Sequence, residues 1–470
     1  MRVRFHAFLA GVVFLSAIWM SAAPAGAAGQ ASINVGSNVN VSRLAGNQAE
    51  TTVAVNPTNP SNVVIVSNFQ FGNRLWVGYT LDGTNWVSKQ IADGTDGLGF
   101  ACCDPSAAFD EFGNLFLVYL DSKAHDVQLA LSTDGGVTFS FVKTVEQTNN
   151  QGNPEANKWG APVDQPTVTT GAGSVWVTWK IFNSTKPLQA RGAPVTGLGQ
   201  VGTFISPEDV PGSKAGSFGD IVVGPHGQVM VTYQDNIPTE GPSNIFVNLD
   251  PDGLGPAGFG PAIKVGVTNV GGFDFIPPQA TRSVDAETGL AYDRSGGAHT
   301  GRVYLVYTDE LPNESNNTDL FLRSSDNDGQ TWGAPVRVND DKGVNSQFNP
   351  RMSLDQTTGN LAVSFYDARS DAGNFGKGDT NGIPNDDAQL WAAVSTDGGA
   401  SFARNVQVSG GTSNAADAHN GVQYGDYSGM SFTHGVFYPG WADNSNSTGD
   451  NPDGALSTFD VYTAKVTVSG

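Results

Sequence analysis

The fold of this chain is decided by the stretch Ser132-Thr133-Asp134-Gly135-Gly136-Val137-Thr138-Phe139, because the stretch recurs. Residues 395–402 repeat it almost letter for letter, and residues 325–332 keep the pattern with Asn327 in place of the aspartate. A copy that is one residue shorter occupies residues 80–86. Asp or Asn side chains bond back to nearby amides and Gly supplies positive φ, so each copy predicts a hairpin turn.

A second pattern defines repeated units around these turns. Each unit begins with a polar residue before a short apolar strand, then has a Gly- or Asn-containing turn and a strand of the type Val-x-Tyr or Val-x-Trp. Seven such units follow one another at intervals of roughly 50–75 residues. They begin at or near Glu50, Asp104, Asp164, Asp220, Leu290, Pro350 and Asp426. Alternating apolar positions inside the strands indicate half-buried sheets.

The repeated turn resembles the Asp-box, or bacterial neuraminidase repeat, which links the third and fourth strands of the blades in sialidase-like β-propellers. The resemblance implies an all-β, single-domain β-propeller of four-stranded blades over residues 28–470, with almost no helix. Seven units favour seven blades. Six blades, the number in sialidases, is the alternative if one unit has been divided in two. Residues 32–41 are expected to supply the outer strand that closes the ring.

The first residues read as a targeting segment. Arg2 and Arg4 precede an apolar run over residues 8–20, and Ala25-Gly26-Ala27 follows it. This order predicts a secretory signal peptide over residues 1–27, and an uncleaved membrane anchor is the alternative. No later stretch is apolar and long enough to span a bilayer, so we expect a secreted, extracellular protein.

The charge balance narrows the range of partners. The formal net charge is -21 at pH 7. Such acidity argues against nucleic acid and anionic membranes as partners. It is compatible with bound cations, and the Asp- and Asn-rich stretches 379–387 and 443–453 are candidates for holding Ca²⁺ through hard oxygen ligands. Neither stretch has EF-hand spacing, so solvated turns are the alternative, and loss of a bound Ca²⁺ would lower the melting temperature.

The two cysteines, Cys102 and Cys103, are adjacent in the chain. Two adjacent cysteines argue against a zinc site built from cysteine, and no long-range disulfide framework exists. In an oxidising compartment the pair is expected to close a vicinal disulfide, with two free thiols as the alternative. Such a disulfide would lie beside Asp104 and fix the direction of its carboxyl group.

Candidate site residues follow from propeller geometry. Residues just before the innermost strand and just after the second strand of each blade surround one mouth of the central channel. The first position gives Glu50, Asp104, Asp164, Asp220, Arg351 and Asp426. The second position gives Asp121, Asp235, Asp309, Asp367, Arg369 and Asp443. Some of these aspartates are expected only to cap turns, while clustered carboxylates favour cation binding or acid–base catalysis.

The resemblance to sialidases implies particular roles. Those enzymes use a tyrosine nucleophile, a glutamate that activates it, an aspartate acid/base and three arginines that hold the substrate carboxylate. Tyr427-Ser428-Gly429-Met430 resembles the sequence around the nucleophile, and Arg351 and Arg369 are candidates for the arginines. The first family arginine lies in a Phe/Tyr-Arg-Ile-Pro motif, which this chain lacks, and Glu50 stands near that place. A carboxylate there argues against ordinary recognition of sialic acid.

The sequence leaves three functions open. The first is a glycoside hydrolase with an incomplete arginine set, acting on an extracellular glycan or glycoconjugate. The second is a non-catalytic propeller that binds a glycan or a protein, and the third is a structural cell-surface protein. For a hydrolase, the expected catalytic residues are Tyr427, Asp104, Asp164 and Glu50. The expected substrate-binding residues are Arg351, Arg369, Asp426 and Asp220. Asp104 and Asp164 are the preferred carboxyl pair of a glycosidase other than a sialidase.

Overall fold

Short antiparallel strands supply nearly all the regular structure of the protein. The computed structural model describes residues 31–70, 72–147, 163–182, 186–217, 219–235, 238–418 and 422–469. The predicted signal peptide lies outside these residues and stays a prediction. The only helical elements in the described part are two short 3₁₀ turns, Ser213–Ala215 and Pro277–Gln279. No helix there is long and apolar enough to cross a membrane.

The described strands form seven sheets, each built around four antiparallel strands in sequence order. Blade 1 contains β2 (Gln48–Val55), β3 (Val63–Phe69), β4 (Leu75–Thr80) and β5 (Val87–Ile91). Blade 2 contains β6 (Ser106–Phe109), β7 (Leu115–Leu120), β8 (Asp126–Ser132) and β9 (Ser140–Gln147). Blade 3 contains β10 (Val163–Gly171), β11 (Ser174–Ile181), β12 (Gln189–Gly197) and β13 (Gln200–Val201), with β14 (Glu208–Asp209) paired to β12.

The next three blades repeat this order. Blade 4 contains β15 (Ile221–Val223), β16 (Val229–Gln234), β17 (Ser243–Asp250) and β18 (Ile263–Thr268). Blade 5 contains β19 (Gly289–Tyr292), β20 (Val303–Glu310), β21 (Thr318–Ser325) and β22 (Val336–Arg337). Blade 6 contains β23 (Gln347–Leu354), β24 (Leu361–Asp367), β25 (Asp387–Ser395) and β26 (Val406–Gln407), with β27 (Ser413–Asn414) paired to β25.

The last blade closes the ring with both ends of the described chain. Blade 7 contains β28 (Gly429–Thr433), β29 (Val436–Asp443), β30 (Asp460–Ser469) and, as its outer strand, β1 (Ser32–Asn40). The register pairs Ser32 with Ser469 and Asn40 with Tyr462. The first strand of each blade contacts the first strands of both neighbouring blades, so the seven inner strands surround a channel. The seven-bladed propeller and the closing role of the N-terminal strand are confirmed.

The recurrent turns all lie between the third and fourth strands of their blades. In the copy that decided the fold, the backbone N–H of Thr138 donates to Oδ1 of Asp134 at 2.9 Å. Ser132 Oγ donates to the same carboxylate at 2.8 Å. Gly135 and Gly136 have φ of 79° and 92°, a region that favours glycine. Each turn thus reverses the chain at the outer part of a blade.

The core lies between blades. The second strand β7 is buried along its whole length, as is β11. Neighbouring blades cover both faces of these strands, which explains continuous apolar runs such as residues 115–120. The expectation of half-buried sheets was therefore wrong for the second strands, because the blades pack face to face around the ring.

Candidate active site

A loop over residues 269–288, which we call the crossing loop, lies across one mouth of the channel. It joins β18 of blade 4 to β19 of blade 5, yet it binds the segment before β28 of blade 7. Gln279 Nε2 donates to the carbonyl of Gly425 at 3.0 Å, and the N–H of Tyr424 donates to Gln279 Oε1 at 2.9 Å. Ile276 and Val284 pack in the apolar cluster that contains Tyr424. The loop is therefore fixed at both ends and in the middle.

Beside the crossing loop lies an open cleft of about 770 Å³. Its size is within the range of ligand-binding clefts, roughly 300–1,000 Å³. Its apolar lining includes Leu120, Phe273 and Phe275. The carboxyl groups that line it are those of Glu50, Asp104, Asp164, Asp285 and Asp426. Four of these were predicted from the sequence to meet at one mouth, and the structure brings those four together.

Asp104 and Asp164 form a hydrogen-bonded carboxyl pair. Burial raises the pKa of Asp104 well above its usual range, and the charge of Asp164 raises it further. Burial also raises the pKa of Asp164, to about 6, while the hydrogen bond from Asp104 opposes this shift. Of the two, Asp104 holds its proton more tightly, and Asp164 releases its proton more readily. A proton donor and a proton acceptor lie side by side in the cleft.

Glu50 is the most deeply buried of the four predicted carboxyl groups that line the cleft, with 4% of its surface exposed. Its Oε1 accepts the N–H of Asp426 at 3.1 Å, and its Oε2 accepts a hydrogen bond from Asn68. The N–H of Asp104 donates to Oδ1 of Asn68 at 2.9 Å, so Asn68 connects the two carboxyl groups. Burial, followed by the charges of Asp426 and Asp104, raises the pKa of Glu50 to about 8.

The backbone holds two of these groups in an unusual conformation. Glu50 and Asp104 have φ of 55° and 56°, in the left-handed region that residues with a Cβ seldom adopt. Glu287, at the same place in blade 5, has φ of 43°. Such conformations cost about 1–3 kcal/mol each and persist where surrounding contacts fix them. Glu50 and Asp104 line the cleft, and Glu287 lines the smaller cavity further along the channel.

Arg282 lines the cleft and supplies a guanidinium group there. Its Nε donates to Oδ1 of Asp426 at 2.7 Å, and its Nη2 donates to Oδ2 of the same carboxylate. Nη2 also lies 3.4 Å from Oε1 of Glu50. Among the described residues that line the cleft, Arg282 is the only arginine or lysine. Its guanidinium group already binds the carboxyl groups of Asp426 and Glu50.

Tyr427 does not line the cleft but lies further along the channel. In several blades, a residue that lines the cleft is followed within one or two positions by a residue that lines a second cavity, as Asp426 is followed by Tyr427. This cavity measures about 50 Å³, room for a few water molecules and far below the roughly 300 Å³ of a small ligand site. Burial and the nearby carboxylates raise the pKa of Tyr427 well above its ordinary value. The phenol therefore keeps its proton.

The other predicted binding residues are placed apart from the cleft. Arg351 lines the small channel cavity, where its Nη1 lies 3.9 Å from Oδ2 of Asp220. Arg369 donates from Nε to Asp367 at 2.7 Å and from Nη1 to Asp340 at 2.6 Å. Its guanidinium also stacks over Trp391 at 4.2 Å. These contacts make Arg369 part of the blade structure, and it does not line the cleft, so its predicted contact with a substrate carboxylate stays a prediction.

The aspartates that follow the second strands are used in local structure. Asp121 accepts the N–H groups of His125 and Asp126 at 2.7 and 2.9 Å. Asp443 accepts the N–H of Ser445 at 2.7 Å and Trp441 Nε1 at 2.9 Å. This is the turn-capping role expected for some members of the set.

The vicinal disulfide predicted between Cys102 and Cys103 is present, with sulfurs 2.19 Å apart. Cys102 N–H donates to the carbonyl of Leu120 at 2.9 Å, and Leu120 N–H donates to the carbonyl of Cys103 at 3.0 Å. The disulfide segment is thus paired with the end of β7. Cys103 lines the cleft next to Asp104, as the sequence predicted.

One of the two stretches considered for Ca²⁺ forms a compact acidic cluster. Asp371, Asp379 and Asp387 each offer an oxygen, and these atoms lie within 4.8 Å of one another. Backbone N–H groups already bind the cluster: Asp379 Oδ1 accepts from Gly382 at 2.6 Å, and Asp371 Oδ2 accepts from Asp387 at 3.0 Å. Amide donors, which repel a cation, thus offset the negative charge.

The sequence reasoning missed Arg282, Asp285 and Glu287. The two acidic residues stand just before the inner strand of blade 5, so the rule that selected Glu50 and Asp104 applies to them also. Asp285 is 5% exposed, and burial raises its pKa well above the usual range. The signal for Arg282 is weaker: only the long interval between β18 and β19 marks the crossing loop.

No known family model matches the chain, and no curated protein matches it. Solved structures resemble it at low identity. An α-L-arabinofuranosidase of Fusarium graminearum in complex with arabinobiose has 12% identity and a TM-score of 0.47, over 71% of this chain and 93% of that one. A Dyadobacter fermentans protein of unknown function has 10% identity and a TM-score of 0.48, over 93% and 99%. A Hadza microbial sialidase has 13% identity and a TM-score of 0.43, over 83% and 73%. These values carry no inference about activity.

Proposed function

We propose that the protein is a glycoside hydrolase that acts on a neutral extracellular glycan. The observation that carries the proposal is the Asp104–Asp164 pair in an open cleft lined by three further carboxyl groups. Glycoside hydrolysis needs one carboxyl group that keeps its proton at neutral pH and another that is ionised. The raised pKa of Asp104 and the ion pair of Asp426 meet these two requirements.

Asp104 is the proposed general acid. Its proton passes to the glycosidic oxygen as the bond from that oxygen to the anomeric carbon breaks, and water supplies the new hydroxyl group. Asp164, ionised at neutral pH because its pKa is about 6, stabilises the protonated form of Asp104 through their hydrogen bond. The two groups are in contact, whereas the two catalytic carboxyl groups of a glycosidase stand roughly 5–9.5 Å apart on either side of the glycosidic bond. Asp104 and Asp164 therefore act together on the acid side of the reaction.

Asp426 is the proposed opposing carboxylate. Its side chain is 20% exposed, and Arg282 directs both of its oxygens. Glu50 is less suited to act as a base, because a pKa of about 8 leaves it protonated at neutral pH. Asp426 then either activates the attacking water or stabilises the positive charge that develops on the sugar.

The charge of the cleft supports a neutral substrate. A sugar carboxylate needs guanidinium groups with free donors, while Asp426 and Glu50 bind Arg282, the cleft guanidinium of the described chain. Arg351 lies in the channel cavity, and Arg369 is bound within blade 6. Residual negative charge from ionised carboxylates would also repel an acidic sugar. The finer resemblance to a sialidase is therefore not part of the proposal.

A binding protein without catalysis is the second candidate. It is favoured by the direct hydrogen bond between Asp104 and Asp164, because the proton that a hydrolase would donate to its substrate is here donated to a neighbouring carboxyl group. A panel of neutral oligosaccharides, tested for both binding and release of reducing ends, separates the two functions. The proposal predicts turnover that falls about 10²–10⁴-fold in Asp104→Asn. Binding without turnover in the wild-type protein would establish the second candidate instead.

A further inference from the structure

The crossing loop presents two phenylalanines to the cleft by strand alternation. Asp274 forms an isolated antiparallel bridge with Val284, with N–H to carbonyl distances of 3.0 and 2.6 Å. Asp274, Ile276 and Val284 are buried, at 2%, 1% and 2% exposure. Because successive side chains in extended chain point to opposite faces, Phe273 and Phe275 point the other way. Each is 46% exposed.

The register of this bridge places the rings next to polar cleft residues. With Asp274 opposite Val284, Phe273 stands opposite Asp285 and Phe275 opposite Ser283. Directly opposed residues on one face have Cβ atoms about 4.5–5.5 Å apart. All four of these residues line the cleft. An apolar strip therefore runs beside a strip that carries a hydroxyl and a carboxyl group.

The strip is held in place before any ligand arrives. The N–H of Phe273 donates to the carbonyl of Thr239 at 3.2 Å. Further along the loop, Thr281 and Arg282 donate their N–H groups to Oε1 of Gln423 at 3.1 and 3.0 Å. A ligand that binds there does not have to order the loop, which lowers the entropic cost of binding.

We infer that Phe273 and Phe275 form the platform on which a ring of the neutral glycan lies. This inference rests on the proposed hydrolase function and names its substrate-binding surface. A sugar ring has an apolar C–H face and a rim of hydroxyl groups, and it therefore matches a flat aromatic surface bordered by Ser283 and Asp285. Cys103 and Leu120 add further apolar surface to the lining of the same cleft.

The test uses the full-length protein and single variants of the two phenylalanines. Phe273→Ala and Phe275→Ala remove the flat surface, while Phe273→Tyr and Phe275→Tyr retain it. Phe375→Ala is the matched control, because Phe375 is 74% exposed on the loop before β25 and does not line the cleft. Binding of arabinobiose and of neutral gluco-, galacto- and xylo-oligosaccharides is measured by calorimetry, with KM and kcat for any glycan that is hydrolysed.

The platform predicts that each Ala variant raises Kd and KM by about tenfold, with kcat changed much less, since stacking acts equally on bound substrate and transition state. The Tyr variants, which keep a flat ring, are expected to lose less affinity than the Ala variants, and the Phe375→Ala control is expected to match the wild-type protein. Wild-type binding that both Ala variants retain would overturn the platform and leave the hydrolase proposal intact. A wild-type protein that binds none of these glycans would overturn both.

Discussion

Nε of Arg282 donates to Oδ1 of Asp426 at 2.7 Å, although the two residues are 144 positions apart in the chain. The pair ties the crossing loop between blades 4 and 5 to the first residues of blade 7. It also sets the charge of the cleft, because Glu50 shares the same guanidinium. One arginine therefore joins the crossing loop to two of the carboxyl groups that line the cleft.

Loss of Arg282 should destabilise the protein. Arg282→Met leaves Asp426 and Glu50 without their cation, and we expect a loss of about 2–3 kcal/mol in the free energy of unfolding. Arg282→Lys should recover only part of this, because an ammonium group cannot bind both oxygens in the same way. Urea unfolding at pH 7 measures both values.

The exposed pair of Arg43 and Asp450 is the control for this experiment, with side chains 56% and 39% exposed. Arg43→Met should cost less than about 1 kcal/mol. Equal effects of the two substitutions would show that the Arg282 pair contributes no more than a surface ion pair.

Stability should fall as pH rises through the range in which Glu50 titrates. Its pKa is 4.5 in the unfolded reference and about 8 in the folded protein, mainly because of burial. Between these values the folded protein keeps a proton that the unfolded chain releases, so the contribution is complete below pH 4.5 and is lost by about pH 8. Glu50→Gln should make the dependence of the melting temperature on pH shallower over this range.

Asp93→Asn is a suitable control for that pH series. Asp93 is a partly exposed carboxylate whose pKa is lowered by hydrogen bonds from Thr95. Its substitution should leave the slope between pH 5 and 8 unchanged, since its titration lies below that range. If Glu50→Gln and Asp93→Asn give the same slope as the wild-type protein, Glu50 is ionised throughout.

The disulfide should be detectable without any functional assay. Intact mass of the untreated protein is expected to be two hydrogens below that of the dithiol, and thiol alkylation should add nothing before reduction. Since Cys103 precedes Asp104 in the cleft, the Cys102→Ser/Cys103→Ser double variant should shift the alkaline limb of the pH–activity profile, where the proposed general acid Asp104 loses its proton. Alkylation of both cysteines in untreated protein would show two free thiols.

Removal of divalent cations should leave the melting temperature unchanged. The sequence-based expectation was a decrease, but amide N–H groups already bind the oxygens of Asp371 and Asp379. Asp379→Asn, which removes charge and part of this acceptor set, should itself cost roughly 2 kcal/mol. A lower melting temperature in excess chelator that calcium restores would establish a cation site in this cluster.

The architecture could be predicted from the sequence because it repeats. The turn that contains Asp134 recurs between the third and fourth strands of four blades. The strand that contains Tyr119 has counterparts in the other blades. The carboxyls at the mouth could be predicted for the same reason, since Asp104 and Asp164 hold equivalent positions. Arg282 could not be placed, because its position depends on the path of the crossing loop and not on the repeated pattern of the blades.

Tyr427 shows the limit of a short motif. Its position at a blade start was correctly read, but one residue along an inner strand separates the cleft from the narrow channel. Asp426 faces the cleft, and Tyr427 lines the 50 Å³ cavity. Which of the two cavities a residue lines depends on the packing of all seven inner strands, and a four-residue motif does not predict it.

The central claim is tested most directly by comparing Asp104→Asn with Tyr427→Phe. Release of reducing ends from a panel of neutral oligosaccharides, and of sialic acid from an α-sialoside, is measured for both variants and for the wild-type protein. The account predicts that the wild-type protein hydrolyses a neutral glycoside, that Asp104→Asn loses about 10²–10⁴-fold in kcat, and that Tyr427→Phe retains activity. Hydrolysis of the sialoside that Tyr427→Phe abolishes and Asp104→Asn leaves unchanged would contradict it.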